Sequence, residues 1–275
     1  MENMIQYAKR LLKLQYEQCA DIVQNDEFYR GYALEKWRHS WQVFGAGNYL
    51  MKRIEWLQQK PPAYINMVKT AVLLHDCCRF TEIVQRYSKQ KPCDHSVAGA
   101  EFLRNTPMFQ DIRIWLPIKH HGHVIEELYE DTEYQNIENA ELKKEVEQIC
   151  FLVRDADKIA NLHLIKNEPN ILPLFLGKSD FVAETDGIVS AKIKARPFAE
   201  TTLPRSYDST VAERIAGYLS WFMDINYKAS IEYCERLEII ETIFTMLDQY
   251  CIDVEFKQSF AAFVRNFLQR HEFLR

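Results

Sequence analysis

The sequence has few of the residues that make tight turns, with only 8 glycines and 9 prolines among 275 positions. Tight hairpins need such residues at defined places, so a fold built from many short strands is not expected. No internal repeat or low-complexity segment interrupts the chain. These shortages favour a helical protein.

The chain also lacks a long hydrophobic run and an excess of positive charge. Its N-terminal segment, MENMIQYAKRLLKLQYEQC, alternates charged and apolar residues at helical spacing, so it resembles neither a signal peptide nor a membrane span. We therefore expect a cytoplasmic protein without a membrane partner. The net charge of −5 argues against binding to duplex nucleic acid, which selects a basic surface.

The cysteines do not indicate a disulfide framework. There are 7 of them, an odd number, and none forms a CxxC pair. A chain of this length can bury a sufficient core without cross-links. We expect reduced thiols.

Apolar residues recur at spacings of three and four along most of the chain, which predicts an all-α fold. The predicted helices cover residues 4–24, 32–58, 63–76, 95–105, 109–121, 138–165, 209–227, 229–251 and 254–270. Between them, prolines and glycines collect in the irregular stretch 166–208. We interpret 1–165 as the part that carries the chemistry, 166–208 as a connector or lid, and 209–275 as helices packed on the same core of a single domain.

One apolar run ends in VLLHDCCRF, where His75 and Asp76 stand side by side at the predicted end of a buried helix. Neighbouring helical residues project about 100° apart, so both side chains can reach one small object, such as a divalent metal ion. Imidazole nitrogens and carboxylate oxygens are usual ligands for zinc, iron and manganese. The remaining ligands of such a site come from other helices.

Other predicted helices carry further candidate ligands. His39 lies among bulky apolar residues in EKWRHSWQV, and His95 follows a predicted N-cap, Asp94. His120 and His121 end the helix DIRIWLPIKHH. A single buried histidine is more often a hydrogen-bonded core residue than a ligand, so these positions indicate a metal site only when they are considered together.

Asp155 and Asp157 lie in FLVRDADKIANL, inside an otherwise apolar helix. Positions i and i+2 point roughly 200° apart around a helix, so only one of the two can face a metal ion.

Taken in order, RHSWQV, LLHDCCRF, DHSVAGAEFL, IKHHGH and RDADKIANL resemble the motifs of the HD superfamily of metal-dependent phosphohydrolases, over about residues 39 to 162. The resemblance implies a helical bundle that holds a first metal ion through His39, His75, Asp76 and the aspartate of the last motif. In the family that aspartate follows an alanine and precedes a basic residue, which favours Asp157 over Asp155.

Subgroups of the family that bind two metal ions have two additional histidines. Their places correspond here to His95 and to either His120 or His121, so the resemblance implies a dinuclear site with Asp76 as the bridge. The cofactor is then one or two divalent ions of iron, manganese, zinc, nickel, cobalt or magnesium. Such ions make water a nucleophile at neutral pH.

The catalytic residues implied by the resemblance are Asp76 and Arg79. The cation that balances charge on the phosphate oxygens is expected to be Arg79, Lys119 or Lys158. Many family members have Ile-Gly after the His-Asp pair, where this chain has Cys77 and Cys78. Glycine permits a positive φ that cysteine resists, so the path of the chain to Arg79 can differ.

The function implied is hydrolysis of a small-molecule phosphomonoester or phosphodiester, such as a nucleotide. Two alternatives use the same residues. One is a mixed-valent di-iron oxygenase, which a requirement for oxygen would identify. The other is a metal-stabilised binding module without turnover, which the absence of any hydrolysis would indicate.

Overall fold

The computed structural model describes residues 3–167, 182–196, 198–203 and 209–275. In these residues the chain forms helices, turns and one isolated bridge between Tyr227 and Leu274, without a β-strand. The predicted all-α fold is confirmed. No helix in the described ranges has both the length and the apolar character needed to cross a lipid bilayer.

The chain divides into two compact units, Met1–Ala160 with Arg275 and Asn161–Leu274. The division into 1–165, 166–208 and 209–275 stays a prediction. Of the predicted connector, residues 168–181, 197 and 204–208 lie outside the described part of the chain.

The first unit is built from ten helices of the described chain, the last of which continues past residue 160. They are α1 (Met4–Ile22), α2 (Glu27–Met51), α3 (Glu55–Gln58), α4 (Pro62–Leu74), α5 (Arg79–Tyr87), α6 (His95–Arg104), α7 (Ile112–His120), α8 (Ile125–Glu130), α9 (Thr132–Gln135) and α10 (Ala140–Asn167). The predicted helix 32–58 is therefore two helices, and α5 lies where none is predicted.

Helix α4 is the central element of the first unit. It packs against α1, α2 and α7, and residues 70–74 are all buried. Its apolar residues face neighbours on several sides, as expected for a helix without a solvent face. At one contact with α2, a Cβ atom added to Gly47 would lie 2.6 Å from Val72 Cγ1, so glycine allows a close approach of the two helices there.

The second unit contains short helices in the predicted connector and longer helices after it. They are α11 (Ala183–Asp186), α12 (Ala191–Lys194), α13 (Val211–Ser220), a 3-10 turn (Trp221–Asp224), α14 (Lys228–Arg236), α15 (Ile239–Tyr250) and α16 (Val254–Arg270).

The predicted helix 229–251 is two helices in the structure, because Glu238 adopts a left-handed conformation with φ of 54°. The Lys166 ammonium donates a hydrogen bond to the carbonyl of Leu237, one of the carbonyl groups left without a helical partner at this break. Apolar spacing continues across the break, so the periodicity of the sequence does not reveal it.

Candidate metal centre

The end of α4 places His75 and Asp76 in the interior of the first unit, where both are buried. His75 is the residue that caps the helix, and Asp76 begins the turn that leads through Cys77 and Cys78 to α5. Both cysteines are buried, and this turn is made without a positive φ. The substitution of Cys-Cys for Ile-Gly is therefore accommodated in ordinary backbone geometry.

Four predicted ligands of a first metal ion lie together. Potential ligand atoms of His39, His75 and Asp76 are all within 4.8 Å of one another. Asp157 joins them from α10, since its Oδ1 atom is 2.8 Å from His39 Nε2 and 3.8 Å from His75 Nε2. Asp155, two residues earlier on the same helix, is fully buried.

The orientation of the His75 ring leaves one nitrogen available to a cation. His75 Nδ1 donates a hydrogen bond to the carbonyl of Val72 at 3.0 Å, so Nε2 carries the lone pair. In the described part of the chain Nε2 has no hydrogen-bond partner, although it lies 3.8 Å from Asp76 Oδ2. Burial lowers the pKa of His75 to about 3, so the ring is neutral at pH 7. A buried acceptor without a partner is costly and indicates a bound group.

The separations match those between ligands of one ion. Two atoms that each lie about 2.1 Å from a metal are roughly 3.0 Å apart at a right angle and roughly 3.4 Å apart at a tetrahedral angle. The His39–Asp157 contact of 2.8 Å and the His75–Asp157 and His75–Asp76 contacts of 3.8 Å bracket these values. The residues present therefore fit a divalent cation.

A second group consists of Asp76, His95 and His121, whose potential ligand atoms also lie within 4.8 Å of one another. Asp76 Oδ1 is 3.1 Å from His95 Nε2 and 3.4 Å from His121 Nε2. His121 Nδ1 donates to the carbonyl of Ile118 at 2.8 Å, which leaves Nε2 facing Asp76. Asp76 belongs to both groups and so occupies the position of a bridging carboxylate.

His120 is in neither group. Its Nε2 atom lies 2.8 Å from Asp131 Oδ2, and Lys119 pairs with the same oxygen at 2.7 Å. Helix α7 ends at His120 and His121 is its C-cap, so the two rings project in different directions. The structure thus brings His121, and not His120, next to Asp76.

The two central carboxylates are ionised. Burial opposes ionisation of Asp76, but the nearby charge of Arg79 outweighs it and holds its pKa well below the usual value. Burial likewise opposes ionisation of Asp157, but the hydrogen bond with His39 outweighs it and lowers its pKa below the usual range. Two negative charges this close together, with Asp76 almost fully buried and the Asp157 side chain only 22% exposed, favour binding of a cation.

Arg79, at the first position of α5, reaches the second group. Its Nη2 atom is 3.4 Å from Asp76 Oδ1 and 2.7 Å from His95 Nε2, and its Nη1 atom donates to Glu82 Oε2 at 2.6 Å. Burial lowers the pKa of Arg79, but the charge of Asp76 outweighs it, so the pKa is raised and the guanidinium stays charged.

Two residues at the site were not predicted from the sequence. Glu82 is buried and lies 3.2 Å from His95 Nδ1. Lys36, one turn before His39 on α2, interacts electrostatically with Asp76, and its pKa is lowered by burial. The sequence does contain a signal for both residues. Glu82 lies three residues after Arg79, and Lys36 lies three residues before His39, so each shares a helical face with a predicted site residue.

Lys119, predicted as a cation for phosphate oxygens, pairs instead with Asp131 and with Glu133 at 3.2 Å. It lines a cavity of about 460 Å³ with Arg104, Trp115 and Glu133, and the lining of this cavity includes none of the candidate ligands. Lys158 is buried on α10, one residue after Asp157.

The HD domain family model matches residues 37–162 of this chain. A search of the curated proteins and a search of the solved structures found no significant match. The matched segment begins two residues before His39 and ends five residues after Asp157, so it contains every candidate ligand described above.

Proposed function

Because residues 37–162 of this chain are an HD domain, we propose that the protein is a metal-dependent phosphohydrolase that cleaves a phosphomonoester or phosphodiester. The observation that carries the proposal is the buried lone pair of His75 Nε2, which lies 3.8 Å from oxygens of both Asp76 and Asp157 without a hydrogen-bond partner in the described chain. A divalent ion accounts for this arrangement.

His39, His75, Asp76 and Asp157 are the proposed ligands of the first ion. A second ion would use Asp76 with His95 and His121. When bound, such ions supply an activated water and positive charge beside the phosphate. The choice among iron, manganese, zinc, nickel, cobalt and magnesium follows ligand chemistry and availability, and imidazole-rich sets favour the transition metals over magnesium.

The residues of the chain itself position these parts. His75 is fixed in its tautomer by the carbonyl of Val72, and His121 by the carbonyl of Ile118. Arg79 places positive charge next to Asp76, and Lys36 interacts electrostatically with the same carboxylate. The Arg79 guanidinium is suited to the nonbridging oxygens of a phosphate ester, and a nucleotide is our proposed substrate class. A cytoplasmic location stays a prediction from the sequence.

The test is phosphate release by protein purified without an affinity tag, under anaerobic conditions, with elemental analysis of the same sample. We expect metal in the sample and hydrolysis within a panel of nucleotides and p-nitrophenyl phosphates. Asp76→Asn should abolish hydrolysis and reduce metal content, because it removes the shared carboxylate. Turnover that requires oxygen, without phosphate release, would show the oxygenase chemistry instead.

Two matched variants separate a ligand from its neighbour. His121→Gln should weaken binding of a second metal equivalent by more than the roughly 10–100-fold typical of losing a group that only orients a ligand. His120→Gln should leave both binding events close to the wild type, because its partner is Asp131. Equal effects of the two substitutions would contradict the proposed ligand set.

A further inference from the structure

Arg79 lies at the position that a second cation would need. Its Nη2 atom is 2.7 Å from His95 Nε2 and 3.4 Å from Asp76 Oδ1, and both of these residues belong to the second ligand group. The contact with His95 is a hydrogen bond when Nε2 carries no proton. The same lone pair can then serve Arg79 or a metal ion, but not both.

Glu82 holds both partners of this contact in place. Its Oε2 atom accepts from Arg79 Nη1 at 2.6 Å and lies 3.2 Å from His95 Nδ1. A carboxylate beside Nδ1 favours the tautomer that carries its proton there, which turns the lone pair of Nε2 toward Asp76 and Arg79. Glu82 is only 4% exposed, so water competes little for these contacts.

We propose that the Arg79 guanidinium and a second metal ion are alternative occupants of the position between Asp76 and His95. The inference rests on the metal site of the proposed function. With Arg79 in place, the buried charge of Asp76 is already balanced, and the protein binds one ion tightly at His39, His75, Asp76 and Asp157. A second ion binds only as the guanidinium leaves His95.

The displaced side chain has a second use. Arg79 is the more exposed partner of its pair with Asp76, with 18% of its side chain accessible against 3% for Asp76. Once released from His95, its planar group of donors is free to bind a phosphate oxygen beside the site. Arg79 thus links occupancy of the second ligand group to the positioning of an anionic substrate.

The direct test is a titration with zinc alone, followed by calorimetry at pH 8. We compare wild type with Arg79→Met, which keeps the aliphatic stem and removes the charged donors. The second binding event should become at least about tenfold tighter in R79M, because a charge-assisted hydrogen bond no longer competes for the ligand. The first event should change less, because His95, which lies 2.7 Å from Arg79 Nη2, is not among the proposed ligands of the first ion.

Arg86→Met is the matched control. Arg86 donates to Glu82 Oε1 at 2.8 Å, so this variant also removes an arginine from Glu82 while the contacts of Arg79 with Asp76 and His95 remain. We expect its second binding event to match that of the wild type. A tightening in R86M equal to that in R79M would assign the effect to Glu82 and overturn the competition.

A measurement on the wild type keeps the inference testable if R79M fails to fold. The Nε–H signal of Arg79 can be followed in a nitrogen-15 NMR spectrum, where it is identified by its absence from the spectrum of Arg79→Lys. This signal should move with the second equivalent of zinc and not with the first. A signal that does not move while the second equivalent binds overturns the inference.

The outcomes separate this inference from the proposed function. If the second zinc ion binds with the same affinity in wild type and in R79M, the inference is overturned and the first metal site is left intact. Absence of any zinc binding in either protein overturns both. A second event that is tightened only in R79M supports the competition.

Discussion

Glu82 is a buried carboxylate surrounded by three groups that carry or can carry positive charge. Arg79 Nη1 lies 2.6 Å and Arg86 Nε 2.8 Å from its oxygens, and His95 Nδ1 lies 3.2 Å away. Burial opposes its ionisation, but the hydrogen bond from His95 and the charge of Arg79 outweigh burial and lower its pKa from 4.5 to about 2.

This lowered pKa predicts how stability depends on pH. A carboxylate whose pKa is lower in the folded state stabilises that state above about pH 4.5, and the contribution is lost as the pH falls toward 2. Glu82→Gln should therefore reduce the free energy of unfolding by about 2–3 kcal/mol at pH 7. The difference from wild type should shrink as the pH falls from 4.5 toward 3.

Urea unfolding with a chelator present measures this difference without a contribution from metal. The exposed residue Glu101 on α6 provides the control, and Glu101→Gln should change the free energy of unfolding by less than about 0.5 kcal/mol. A deficit in E82Q that stays constant from pH 7 to pH 3 would mean that the charge of Glu82 is not what stabilises the fold.

The site shows which residues a sequence can and cannot indicate. His75 and Asp76 were found because they interrupt an apolar run, and Asp157 because it lies in an apolar helix within a motif that resembles the HD superfamily. Glu82 lies in an amphipathic helix of only nine residues, where a charged residue is ordinary. The choice between His120 and His121 depended on the residue at which α7 ends, which periodicity does not determine.

At the scale of helices, the site depends on how closely α2 and α4 approach, because His39 lies on one and His75 at the end of the other. Gly47 of α2 faces Val72 of α4, three residues before His75. A Cβ atom at position 47 would lie 2.6 Å from Val72 Cγ1 and 3.3 Å from Cγ2. Valine is stiff at χ1, so it cannot turn away without cost.

Gly47→Ala should therefore destabilise the protein by about 1–3 kcal/mol, even though alanine favours a helix by about 1 kcal/mol over glycine. The clash should also separate His39 from His75 and weaken binding of the first zinc ion. Urea unfolding and a zinc titration measure the two effects.

Gly45 on the same helix is the matched control, because a Cβ atom there meets nothing within 4 Å. Gly45→Ala should leave zinc binding unchanged and raise stability by up to about 1 kcal/mol. Val72→Ala added to G47A should restore part of the lost affinity. If G47A behaves like G45A, the two helices do not depend on this close approach.

The helices themselves were largely predictable, since spacing indicated α1, α4, α6, α7 and α10 to within a few residues. The misses share a physical cause. Periodicity continues through a single left-handed residue such as Glu238, and it is weak in helices of four to six residues such as α8 and α9. Where one predicted helix is two helices in the structure, local backbone geometry and capping determine the break.

At the scale of the whole chain, the candidate ligands fall between positions 39 and 157, so all of them belong to the first compact unit. Tryptophan residues 37, 41, 56 and 115 belong to the same unit, whereas Trp221 belongs to the second. Trp221→Phe therefore makes tryptophan fluorescence a probe of the first unit alone.

Zinc should raise the thermal unfolding midpoint reported by this probe. A ligand that binds only the folded state at about 100 times its Kd stabilises that state by about 2.7 kcal/mol. For a unit of this size, each kcal/mol corresponds to roughly 2–4 °C, so the expected increase is about 5–10 °C over protein treated with a chelator. Adding Asp157→Asn to W221F should reduce the increase in midpoint that zinc causes, because a charged ligand from α10 is lost. The midpoint of each variant with chelator is its own baseline. An unchanged midpoint in W221F at saturating zinc would contradict a metal centre that joins α2, α4 and α10.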